Sequence, residues 1–143
     1  MKLTKTSAHA ALAMTFLARQ SNAGLTQARQ VAAHLGIPTD SALKILQTLA
    51  RQGLIQSQLG RSGGYHMHRE PQAITLLEVV EVIDGPIQAQ LPIHGAREEV
   101  MEDLGELRTV YEQAAVQVRM ALARVSIATL AHNGSQPVLS TAG

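Results

Sequence analysis

The chain has 143 residues, 45% of them hydrophobic and 16% charged, with three aromatic side chains, no cysteine and a formal net charge of +1. That length fits one domain, or a small domain with an appendage, and the apolar fraction suffices for a packed core, which excludes a disordered chain or a large multidomain enzyme. The missing thiols exclude thiolate nucleophiles, disulfides, Cys-ligated zinc and Cys-ligated iron-sulfur clusters as intrinsic chemistry.

The charge is unevenly divided. Residues 1–70 carry eight Lys or Arg against Asp40 and Glu70, a surplus of six positive charges, whereas residues 71–143 carry four Arg against nine carboxylates, a surplus of five negative charges. A basic half points to a polyanion and an acidic half to something kept off it. No stretch approaches the roughly 20 apolar residues of a membrane span. Lys2 and Lys5 ahead of the apolar run 10–18 imitate a secretory signal, but His9, Thr15 and Arg19 interrupt it, and Ala8, Ala11, Leu12, Thr15 and Phe16 repeat as one helix face. A cytoplasmic protein is the expectation.

The first helix is expected over residues 7–20, ended by Ser21, Asn22, Ala23 and Gly24. The second starts with Thr26 as N-cap and buries Ala28, Val31, Ala32 and Leu35 before Gly36, which suits a left-handed C-terminal position. Only Gly36, Ile37 and Pro38 separate it from a third helix over 39–52, the connection of a helix-turn-helix. On that helix Ala42, Ile45, Leu46 and Leu49 form a core stripe, while Ser41, Lys44, Thr48 and Arg51 form a polar, basic one with Gln47 beside it. Asp40 is its only acid and stands in the first turn, where the helix dipole favours it. A solvated surface face is the plain alternative for this stripe.

After Gly53 the hydrophobic period changes to two. Residues 54–59 and 65–68 read as strands around Gly60, Arg61, Ser62, Gly63 and Gly64, a hairpin that makes a wing after the helix-turn-helix. Glycine there lets backbone approach phosphate or base, and Arg61 brings a cation to a duplex groove. Past Pro71, Thr75 with Glu78 forms a capping box for a short helix over 76–84 that ends before Gly85 and Pro86. Residues 87–95 read as an irregular connection. Val100, Leu104, Leu107, Tyr111, Ala114, Val118, Ala121, Val125 and Ala128 then repeat at alternating spacings of four and three, a heptad seam on one helix over 96–131. At 1.5 Å per residue that helix is roughly 50 Å long, more than a small domain covers by itself, so its seam calls for the helix of a second copy. The tail, 132–143, reads as disordered. The organisation is therefore a mainly α fold with a β-hairpin wing: a winged helix-turn-helix over 1–70, a short helix and loop over 71–95, a dimerisation helix over 96–131, and the tail.

This order of elements resembles the Rrf-two (Rrf2) family of bacterial winged-helix transcription regulators, which includes regulators of iron-sulfur, nitric-oxide and cysteine metabolism. The matching stretches are Met1-Lys2-Leu3-Thr4, Val31-Ala32 through Gly36-Ile37, Leu46 and Leu49 through Gly53-Leu54-Ile55, Gly60-Arg61-Ser62-Gly63-Gly64-Tyr65, and Ile74-Thr75-Leu76-Leu77-Glu78-Val79-Val80 through Ile83-Asp84-Gly85. The resemblance covers about residues 1–131 and implies a homodimer that binds palindromic double-stranded DNA, with the third helix in the major groove and the wing in the minor groove. Carried onto this chain it implies that Asp40, Ser41 and Lys44 lie near base edges and that Arg61, Ser62 and Gly63 form the wing tip. With the polar stripe and its neighbours, the expected DNA-contacting residues of the helix are Thr39, Asp40, Ser41, Lys44, Gln47, Thr48 and Arg51, and the heptad seam gives the expected dimer contacts, Val100, Leu104, Leu107, Tyr111, Ala114, Val118, Ala121 and Val125. Some members have arginine at the position of Leu59 and glutamate at that of Leu43, so the operator does not transfer. Many relatives hold a cluster on cysteines between the short and long helices, where this chain has none; His94 alone offers metal-ligand chemistry. No cofactor is expected, which leaves an effector, a partner protein or constitutive repression.

Three other readings compete. Gly60 to Gly64 matches the G-x-S-x-G pattern, and Asp84, Asp103, His94 and His132 could complete a triad, but that elbow must lead from a strand into a helix. His66, His68 and Glu70 would share one face of a regular second strand and could ligate a metal. A dimeric protein-interaction scaffold that has lost DNA binding is the non-enzymatic rival, and it has no need of a basic face free of carboxylates.

Overall fold

The computed structural model describes residues 2–133. Helix α1 (Lys5–Arg19) starts two residues before the expected position, because Thr4 caps it by accepting a hydrogen bond from Ser7 N–H at 3.1 Å. Its core face is Ala10, Ala13, Met14 and Leu17, all buried, whereas Ala8 and Leu12 point outward, so the expected apolar face is rotated. Helix α2 (Ala28–Leu35) is capped by Gln27, not Thr26: Gln27 and Gln30 form a reciprocal capping box. Thr26 is used elsewhere, in a bridge to Tyr65. Gly36 closes α2 in the left-handed region at φ 69°, as expected, and its three-residue turn leads into α3 (Thr39–Arg51).

Strands β1 (Ile55–Gln58) and β2 (Gly64–Met67) pair antiparallel with Ile55 opposite Met67 and Gln58 opposite Gly64. A 3-10 turn (Pro71–Ala73) precedes α4 (Leu76–Asp84), whose N-cap Thr75 accepts from Glu78 N–H at 3.1 Å. The Glu78 carboxylate does not close the capping box but turns to Arg69. The connection expected over 87–95 is irregular, and it extends through Ala96 and Arg97, which the expected helix over 96–131 would have included.

The long element departs from expectation. It is two helices, α5 (Glu98–Ala123) and α6 (Ile127–Asn133), and Val125 sits in the break, outside any helical seam. The heptad spacing continues through the break, but tertiary bonds win there: Leu76 N–H donates to Val125 O at 2.8 Å, Ile127 N–H to Ile74 O at 2.9 Å, and Ser126 Oγ caps the new helix by accepting from Thr129 N–H at 3.0 Å. Ile127 is thereby fully buried in the main core, and α6 lies against α1, where Arg19 donates to the carbonyls of Leu130 and Ala131. The first two residues assigned to a disordered tail, His132 and Asn133, close α6; the rest of the tail lies outside the described residues. Among the described residues no helix is long and apolar enough to cross a membrane.

Candidate nucleic-acid interface

Helix α3 separates its two stripes as the spacing requires. Ala42, Ile45, Leu46 and Leu49 are buried in the main core, which fixes the rotation of the helix, since burying one such Leu or Ile side chain contributes about 1.5–3 kcal/mol. Thr39, Asp40, Ser41, Lys44, Gln47 and Arg51 are consequently exposed on the other side. Thr48 is half-buried and its hydroxyl is committed: it donates to Lys44 O at 2.9 Å and accepts from Arg51 Nη2 at 3.2 Å, so it orients Arg51 and presents no free donor.

The wing is held by a third segment that the sequence did not reveal. Thr26 and Tyr65 exchange both backbone hydrogen bonds, at 2.9 and 2.8 Å, which pins β2 to the start of α2. Glycine is obligatory at position 64, because a Cβ there would lie 2.7 Å from Thr26 O; at position 63 it would lie 2.8 Å from Gly60 O. Burial raises the Tyr65 phenol above its ordinary pKa, so the ring packs as a neutral group. The tip projects Leu59, Arg61 and Ser62 into solvent, with Gly63 half-buried behind them. Arg69 anchors the base through Glu78 and the carbonyl of Ala73.

Two recesses flank α3. One, of about 390 Å³, lies toward the wing and is lined by Gln47, Ala50, Arg51, Ser57 and Tyr65. The other, of about 340 Å³, lies toward α1 and is lined by Lys5, Thr6, His9, Ile37, Pro38, Ser41, Lys44 and Ile45. Lys5, Thr6 and His9 were absent from the expected interface. Lys5 and His9 are four apart on one helix face, but only the tertiary fold shows that this face meets the start of α3.

The heptad seam is divided in use. Val118, with Ala115 and Leu122, packs on Leu76, Leu77, Val80 and Ile87 of the same chain. Val118 is thus a packing residue within the protomer before it can be an interface one. Toward the other end Val100, Leu107 and Tyr111 are exposed and Leu104 half-buried, and an apolar recess of about 280 Å³ runs along Ile93, Ala96, Val100, Asp103, Leu104 and Leu107. Ala114 and Ala121 are exposed.

The competing sites do not assemble. Ser62 lies on a turn between two strands, not at a strand-to-helix elbow, and the Asp84 carboxylate is bound to Thr4. Strand β2 ends before His68, and His66 Nε2 pairs with Gln56 Oε1 at 3.1 Å; among the described residues no three His, Cys, Asp or Glu side chains converge as a metal site would need.

The family model described as Rrf2, an iron-dependent transcriptional regulator, matches residues 3–133. The chain is 29% identical over 103 residues to the HTH-type transcriptional regulator CymR of Bacillus subtilis, covering 72% of this chain and 69% of the relative. It is 32% identical over 81 residues to the regulator NsrR of Shouchella clausii, covering 57% of this chain and 54% of that one. The chain spans about half the length of several curated relatives that it matches, among them HTH-type regulators of Mycobacterium tuberculosis at 54%. Among solved structures, CymR of B. subtilis, described as the global cysteine regulator, superposes with a TM-score of 0.78 at 22% identity over 93% of this chain and 98% of that one. An IscR from T. potens gives 0.75 at 19% identity over 100% and 94%. The described fold is therefore that of winged-helix regulators. An iron site of thiolate ligands does not fit the residues present, because the 143 residues include no cysteine and residues 85–97 offer only His94 as a metal-binding side chain.

Proposed function

The chain belongs to the Rrf2 family of transcriptional regulators, a family of regulators and not of enzymes, and we propose that it is a homodimeric, sequence-specific DNA-binding repressor of the cytoplasm that works without an iron-sulfur cluster. The observation that carries this reading is the exposed stripe of α3. Ser41, Lys44, Gln47 and Arg51 stand free of carboxylates beyond Asp40, on a helix whose other side is locked into the core. Arg61 continues the same charge on the wing, and a scaffold without DNA would have no use for so one-sided a surface. In mechanism, α3 enters the major groove of each half of a palindromic operator, Arg51 is held ready by Thr48, and Arg61 reaches the neighbouring minor groove. The unpartnered end of the α5 seam joins two copies and sets the half-site spacing. Repression then follows from occupancy of the operator, relieved by an effector or partner protein.

Selection of duplexes from a random pool, followed by binding at increasing salt, tests this. A defined operator is expected, with affinity falling steeply with salt, and Lys44→Ala or Arg61→Ala is expected to lose about 1–3 kcal/mol where the side chain reads a base. Enrichment of no sequence, or binding indifferent to salt, refutes the reading in favour of a protein-interaction scaffold.

A further inference from the structure

We propose that the cleft between the starts of α1 and α3 is a phosphate seat, in which Lys5, Thr6 and His9 join Ser41 and Lys44 around one phosphate group of the DNA backbone flanking the groove that α3 reads. The proposal rests on the DNA-binding reading above and adds a contact from outside the helix-turn-helix and wing. The lining supplies two ammonium groups, an imidazole and two hydroxyls, and no carboxylate. Such a set offers donors in excess of acceptors, which matches a phosphate's ring of acceptor oxygens. The start of α3 opens on the same cleft: its N-cap, Pro38, has no side chain able to accept from the first-turn amides, and Asp40, the acid of that turn, lies outside the lining, so the amides stay open to an anion in the cleft.

Lys5 gives the independent sign. It stands in the first turn of α1, where the helix dipole disfavours a cation, with no acidic residue in that turn and no ion pair among the described residues. The dipole of α1 gives no reason for a cation there. The backbone that carries it is nonetheless anchored, because the preceding Thr4 donates through its N–H and hydroxyl to Asp84 at the end of α4. A cation on an anchored helix start, placed against the local dipole and sharing a cleft with Lys44, suits an anion that arrives from outside. The same chemistry would accept a free phosphate ion, and the two sources are separable.

Binding of a fluorescein-labelled duplex of mixed sequence is measured by anisotropy across a salt series for the parent protein, Lys5→Ala and Thr6→Val, alongside thermal unfolding with and without inorganic phosphate. Lys5→Ala is expected to flatten the slope of log K against log salt by about 0.9 per engaged protomer. It should weaken all duplexes by the same factor and leave Tm at or above that of the parent, since a dipole-opposed cation has been removed; Thr6→Val should weaken binding less, without changing the slope. An unchanged slope in Lys5→Ala, with normal binding by the parent, overturns the seat and leaves the DNA-binding reading standing. Failure of the parent to bind any duplex at low salt overturns both. A phosphate-induced rise in Tm that Lys5→Ala abolishes, beside an unchanged duplex slope, overturns the DNA backbone as the source and gives the cleft to the free ion.

Discussion

Truncating Leu107 tests whether the unpartnered end of the α5 seam joins two copies. Leu107 is 38% exposed in the protomer. Complete burial of a leucine is worth about 1.5–3 kcal/mol, so covering the remaining fraction contributes about 0.6–1.2 kcal/mol per copy. A two-fold interface uses each residue twice, and Ala keeps part of the contact, so Leu107→Ala is expected to weaken association by about 1–2 kcal/mol, roughly 5- to 30-fold in the dimer Kd. Leu107→Lys should act more strongly, since it places an ammonium in an apolar seam. Val116 supplies the control. It is 48% exposed, and nine residues at about 100° each put it on the opposite side of the helix from Leu107. Sedimentation velocity over a dilution series reads the outcome: Leu107→Lys dissociates at concentrations where the parent and Val116→Lys remain dimeric. If Leu107→Lys sediments as the parent does, or if Val116→Lys dissociates instead, the seam is not the interface.

Gly64→Ala is expected to destabilise the protein by about 1–3 kcal/mol, because the new Cβ must push apart the Thr26–Tyr65 pairing that holds the wing; calorimetry showing an unchanged Tm would contradict the proposed role of that bridge. Leu59 is 93% exposed on the wing, and Leu59→Arg should steepen the salt dependence of duplex binding by up to about 0.9 per wing without changing Tm; an unchanged slope would place the wing tip away from the duplex. For Asp84, burial acts to raise the carboxyl, but hydrogen bonds from the Thr4 hydroxyl and N–H, with the charge of Lys2, outweigh it and the net pKa is lowered from 3.8. The stabilisation is therefore full above that value and lost as pH falls through the folded-state pKa. Urea midpoints of the parent and Asp84→Asn should differ by a constant amount from neutrality to about pH 5 and converge below 3.8; a gap that persists in strong acid would show that Asp84 acts by shape and not by charge.

The elements legible in the sequence are those whose signals are local. Gly36 at a left-handed position, the two stripes of α3, the change to period two at the wing, and Thr75 three residues before Glu78 each carry their meaning within a few residues. What failed is what depends on contacts between distant segments. Thr26 looks like an N-cap by type, yet one residue of strand pairing with Tyr65 overrides that preference and leaves no periodicity to detect. The break after α5 hides because Val125 and Ala128 continue the heptad, while Ile127, the residue that enters the core, falls off the seam. A local signal did exist, since Ser126 caps α6. The same reason conceals Lys5, Thr6 and His9: the sequence shows basic and polar residues, and only packing of α1 beside α3 brings them to the cleft with Ser41 and Lys44.

Helix α4 connects these surfaces, and relative magnitudes show what fixes it. Glu78 meets Arg69 at the base of the wing, Asp84 holds Thr4 at the start of α1, and Leu76, Leu77 and Val80 receive α5. The Arg69–Glu78 pair has side chains 38% and 36% exposed, so solvent and salt reduce it to at most about 1 kcal/mol. Val79 and the adjoining Ile74 are fully buried in the main core, and each contributes about 1.5–3 kcal/mol by leaving water. The position of α4 is therefore set by apolar packing, and the ion pair adds a weaker tie between α4 and the base of the wing. Loss of Glu78 removes at most about 1 kcal/mol, whereas loss of Val79 opens the core that α4 shares with α1, α3 and the wing and costs more.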